Sequence, residues 1–73
     1  ELFAQSQPIK KQYAFLHMII ENALLEQFPY IRAEVIRLKK EGMKTELAFC
    51  KIFDLDGDPY ESLLQYGRHL EII

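Results

Sequence analysis

A few residues in this chain stand out as candidates to hold a metal or attack a substrate. They are one cysteine, Cys50, two histidines, His17 and His69, and the aspartates Asp54, Asp56 and Asp58 in the stretch FDLDGDPYE. Zinc sites gather cysteine and histidine at short spacings such as C-x-x-C or H-x-x-x-H. No two of Cys50, His17 and His69 share such a spacing. Cys50 stands among Leu47, Ala48, Phe49, Ile52 and Phe53, the setting of a small core residue rather than a nucleophile. The aspartates invite a calcium loop, which needs a glycine at its sixth position and a bidentate glutamate at its twelfth. Counting from Asp54, Pro59 takes the glycine position and Gln65 the glutamate position. The knot therefore reads as a corner that ends one helix and starts the next. No phosphate-binding glycine loop and no nucleophile elbow occurs in the sequence. The expectation is a non-enzymatic chain with no catalytic residue, no metal and no cofactor.

The elements that position these residues follow from the prolines and from apolar spacing. Pro8, Pro29 and Pro59 each stand where a helix can begin, because proline lacks an amide that would be unpaired in the first turn. From Pro8 to Gln27, Ile9, Tyr13, Leu16, Ile20, Ala23 and Leu24 recur at three- and four-residue steps. Phe15, Met18 and Ile19 widen that apolar face and predict contact with more than one neighbour. A second helix, from Tyr30 to Glu41, turns Ile31, Val35 and Leu38 inward and Arg32, Glu34, Arg37, Lys39 and Lys40 outward. Gly42 is placed to terminate it. Thr45 is placed to cap a third, shorter helix through Phe53, although its length and aromatics also suit a buried strand. The last helix opens at Asp58 with Pro59 first inside it, in a capping box with Glu61. Its stripe of Leu63, Leu64, Gly67 and Leu70 faces inward, and Gly67 signals close approach of another helix.

The fold class expected is all-α: about four helices in stacked antiparallel hairpins, a tetratricopeptide-like solenoid segment, over residues 1–73 as one domain. Of the 73 residues 49% are apolar, too many for a disordered linker. Nine basic against eleven acidic residues give a formal charge of −2, which speaks against a general grip on nucleic acid. No apolar run approaches the ~18 residues of a membrane span. The chain opens on Glu1-Leu2-Phe3 and stops on Leu70-Glu71-Ile72-Ile73, so it is expected to be an excised piece of a longer helical-repeat protein. A helix-turn-helix reading of residues 38–53 would present Ala48, Phe49 and Cys50 to DNA, with Lys44, Thr45 and Lys51 the few residues suited to it. A DNA-binding regulator is accordingly the least favoured binding role.

Residues 38–64 carry a resemblance. L-K-K-E-G at 38–42, then Thr45, Leu47, Phe49, Cys50 and Lys51, then Leu55-Asp56, then D-P-Y-x-x-L-L from Asp58 to Leu64 form an ordered set. It is similar to a segment of the transcription factor 25 family, whose fungal member is the first subunit of the ribosome quality control complex. The family's Ala-Leu-Glu is Glu46-Leu47-Ala48 here, and residues 1–27 have no counterpart in the comparison. The resemblance implies a non-catalytic α-helical scaffold that works with a ubiquitin ligase and an unfoldase on the large ribosomal subunit, in the cytoplasm or also the nucleus. The alternative is an unrelated helical module that binds a protein partner. The sequence singles out no partner-binding residue.

Overall fold

The computed structural model describes residues 9–73, and Pro8, expected to open the first helix, lies outside them. Helix α1 spans Ile9–Gln27. A 3-10 turn at Pro29–Ile31 leads into α2, Arg32–Lys40. Helices α3, Thr45–Ile52, and α4, Pro59–His69, follow. The described residues are all-α, and the segment that also suited a strand is helical.

Helices α2, α3 and α4 stop in the same way. In α2 the amide of Met43 donates back to the Leu38 carbonyl (3.1 Å) and that of Gly42 to Lys39 (3.0 Å). In α3, Leu55 donates to Cys50 (2.8 Å), and in α4, Ile72 donates to Gly67 (2.8 Å). This pattern satisfies last-turn carbonyls and requires a left-handed residue just past the helix. Gly42 takes that position with φ +99°, as its place in the sequence predicts, while Asp54 (φ 58°) and Glu71 (φ 61°) fill it in the other two. Asp54 is therefore a helix terminator, one structural task within the aspartate knot.

Helix starts depart from expectation in three details, the first being that the helix expected from Tyr30 opens as a 3-10 turn and is α-helical only from Arg32. Lys44, in extended conformation, precedes α3 without a side-chain cap bond, and Thr45 is already helical. At α4 the Asp58 carboxylate accepts the Glu61 amide at 3.0 Å, as expected of a cap. Glu61 does not reach back to Asp58; its carboxylate instead accepts Gln65 Nε2 one turn on, at 3.3 Å. Half of the capping box is thus formed, and a second tie, Ser62 Oγ to the Asp56 carbonyl at 2.5 Å, closes the corner. Asp58→Ala should cost about 1 kcal/mol. That corresponds to a fall of roughly 4–8 °C in Tm for a domain of this size, read by circular dichroism, with Asp58→Asn close to wild type.

The core is built from one stripe per helix: Tyr13, Ile20 and Leu24 of α1, Val35 and Leu38 of α2, Ala48, Phe49 and Cys50 of α3, and Leu63, Leu64 and Gly67 of α4, with Ile31 from the turn. Helix α3 packs on both α2 and α4, and α1 lies along α4. Contact between the first and last helices places all four around one shared core. At Gly67, α1 and α4 approach each other closely. A Cβ built there would sit 3.3 Å from Ile20 Cγ1 and 3.6 Å from Ile73 Cδ1.

The widened apolar face of α1 divides. Phe15 is 87% exposed, Met18 64% and Ile19 52%. At 100° per residue these three centre roughly 170° around the helix from Tyr13, Ile20 and Leu24. Helix α1 is therefore apolar on two opposite sides, one inside the bundle and one facing out.

Candidate functional site

A cleft opens where α1 passes the starts of α3 and α4. On α1, Lys10, Tyr13, His17 and Glu21 recur at three- and four-residue steps and so share a flank beside the core stripe. Thr45 and Glu46 come from the first turn of α3, and Tyr60 from the first turn of α4. The cleft encloses ≈ 420 Å³.

Two tyrosine–glutamate pairs line it. The Tyr13 hydroxyl donates to Glu21, two turns along the same helix. The Tyr60 hydroxyl donates across elements to Glu46 Oε2 at 3.1 Å. The two rings lean on each other with centroids 5.6 Å apart at 55°. His17 flanks Tyr13, ring to ring at 6.2 Å. Its Nδ1 lies 2.7 Å from the Ala14 carbonyl. A carbonyl can only accept, so Nδ1 carries the proton and Nε2 is left outside that bond. The Lys10 ammonium rests over the Tyr60 ring, 5.8 Å from its centroid.

Electrostatics decide what these groups can do. Burial, then the bond to the Glu21 carboxylate, holds the Tyr13 phenol above its ordinary range. The bond to Glu46, then desolvation, does the same for Tyr60. Both phenols stay protonated near neutrality and serve as donors. Cys50 lies behind them with its Sγ 3.7 Å from the Pro59 carbonyl. Burial, then the charges of Glu46 and Asp58, push its thiol up, away from the thiolate that a nucleophile requires. Beside these donors the cleft presents aromatic faces, two carboxylates, one ammonium and the His17 ring.

The residues singled out in the sequence are dispersed. His17 borders the cleft, Cys50 belongs to the core, and His69 stacks on Tyr66 with centroids 6.4 Å apart. Among the described residues, no three His, Cys, Asp or Glu side chains come together as a metal site. Asp54 terminates α3 and Asp58 caps α4. Ala48, Phe49 and Cys50, the residues a helix-turn-helix would offer to bases, are buried in the bundle. The charged outer face of α2 holds Arg37 between Glu34 and Glu41, exposed pairs that solvent screens. Sequence reading missed the cleft because Tyr13 falls in the apolar stripe of α1 while His17 and Glu21 lie off that stripe. The available signal was a recurring flank, Lys10, Tyr13, His17, Glu21, combined with a polar residue at each of two helix starts.

The family model described as a domain of unknown function, DUF4269, matches residues 1–66. The chain belongs to this family. No curated protein and no solved structure matches it. The stretch matched as DUF4269 includes every residue of the cleft and both sides of α1. It also includes the corner from Asp54 to Asp58 that joins α3 to α4. No helix among the described residues of this DUF4269 chain is long and apolar enough to cross a membrane.

Proposed function

We propose that this domain is a non-catalytic recognition module that takes a cationic side chain of a protein partner into the Tyr13–Tyr60 cleft. One observation carries the reading: the Lys10 ammonium already rests over the Tyr60 ring, whose hydroxyl is held by Glu46. The face of a tyrosine ring attracts cations, and a nearby carboxylate adds to the attraction. Against the carboxylates of Glu21 and Glu46, Lys10 supplies a single positive charge, which leaves the cleft complementary to one more. A lysine or arginine head of a partner adds beside Lys10 or replaces it. The protonated phenols and the raised thiol favour binding over nucleophilic or acid–base chemistry.

Titration with N-acetyl-arginine methylamide and N-acetyl-lysine methylamide, followed by ¹H–¹⁵N NMR, tests this. The amides of Thr45, Glu46 and Tyr60 are expected to shift, with a Kd of about 1–10 mM for so small a ligand. Glu46→Gln should weaken binding about fivefold. Equal shifts from the uncharged norleucine analogue, or binding indifferent to Glu46→Gln, would refute the proposal.

The resemblance of residues 38–64 to the transcription factor 25 family supports a narrower form, a scaffold in ribosome-associated quality control. Its partners would be the large ribosomal subunit, a ubiquitin ligase and an unfoldase, and its compartment the cytoplasm or nucleus. The segment in question forms the end of α2, all of α3 and the first half of α4, the hairpin that carries Glu46 and Tyr60.

A further inference from the structure

The geometry points to a second copy of this chain as the occupant of the outer face of α1, in an antiparallel helix pair centred between Met18 and Ile19. This face lies on a different flank from the cleft and stands independently of it. Along it run Lys11, Phe15, Met18, Ile19, Asn22 and Glu26, all exposed. Their spacing of three and four residues keeps them on one stripe, about 22 Å from Lys11 to Glu26.

The order of these residues selects the occupant. The stripe is basic at one end, acidic at the other, and apolar between except at Asn22. Turned end for end about its centre, it presents Lys11 opposite Glu26, Phe15 opposite Asn22 and Met18 opposite Ile19. A two-fold interface joins identical patches and so needs self-complementarity of this kind. A parallel pair would instead set Lys11 against Lys11 and Glu26 against Glu26. Neither Lys11 nor Glu26 has an ion-pair partner among the described residues. The apolar middle is the part of α1 with Phe15 87% exposed, on the side away from the core. One helix pair buries area at the low end of stable interfaces, which sets the expected Kd at about 10–100 μM rather than nanomolar.

Sedimentation equilibrium of the 73-residue chain from about 10 μM to 1 mM is expected to show a monomer–dimer equilibrium in that range. Met18→Asp should weaken it about a hundredfold or more by burying an unpaired charge. Phe15→Ser serves as a second, uncharged disruption, and circular dichroism confirms that both variants keep their helix. Lys11→Glu and Glu26→Lys should each weaken the dimer about fivefold, while their equimolar mixture recovers wild-type association, because each unlike pair then carries opposite charges. A chain that is monomeric at the top of this range overturns the inference and leaves the face to another partner. A dimer indifferent to Met18→Asp, or a mixture no tighter than the single variants, overturns it equally.

Discussion

Phe49→Ala is expected to remove about 3–5 kcal/mol of stability, the largest effect of any single truncation in the bundle. Phe49 is 1% exposed and joins a cluster with Tyr13, Ile20, Leu24, Ile31, Val35, Leu63 and Leu64. Its ring is the largest side chain buried so completely. At roughly 0.05–0.15 kcal/mol per residue, a domain of this size has about 4–11 kcal/mol in total, so the loss is a large share of it. Helix α3 has eight residues and is far too short to persist without its contacts. Chemical denaturation followed by circular dichroism reads the change. The control is Leu47→Ala on the outer side of α3, 43% exposed, which should cost under about 1 kcal/mol. Because α3 carries Thr45 and Glu46, the Phe49 variant should also lose shifts on arginine-amide titration at concentrations where wild type responds. A Phe49→Ala chain with wild-type stability would mean that α3 is not seated as described.

The second large effect is expected at Gly67. A Cβ there already comes to 3.3 Å from Ile20 Cγ1, tighter than ordinary contact. Gly67→Val adds two methyl groups beyond that Cβ, where α1 and α4 pack tightly, and a β-branched residue to a helix. Overpacking of this kind should cost about 1–3 kcal/mol. Gly67→Ala sets a gain of about 1 kcal/mol in helix propensity against a smaller squeeze, so its net change should be slight. Ile20→Ala opens space on the facing helix. The double variant Ile20→Ala, Gly67→Val should therefore be more stable than the two single losses added together, with a coupling of about 1 kcal/mol or more. Strict additivity would show that α1 and α4 do not meet at this point.

These two positions show how unequally the sequence spoke. Gly67 was legible, because a glycine inside an inward-facing stripe has few uses other than close packing, and α1 does pass over it. Gly42 was legible as a terminator for the same local reason. The caps were less so: Thr45 is one residue inside its helix, and Glu61 bonds forward to Gln65 rather than back to Asp58. A shift of one residue, or a choice between two acceptors of similar reach, lies below what residue type can specify. The aspartates were correctly read as punctuation, yet nothing in their order foretold that Asp54 would take a left-handed conformation.

The candidate site was hardly legible at all. Tyr13 and Glu46 are separated by most of two helices, and the cleft exists because α1 crosses the starts of α3 and α4. What residue order established about this protein is the helices α1, α2 and α4 with their inward stripes, the end of α2 at Gly42 and the start of α4 at Asp58. Helix periodicity and end chemistry act over a few residues, while α3 also suited a strand. Which stripe met which, that the first helix would lie on the last, and that Phe15, Met18 and Ile19 would face outward came from packing. Those outcomes depend on how several faces share one core, and a helix such as α1, apolar on both sides, does not announce which side its own chain will cover.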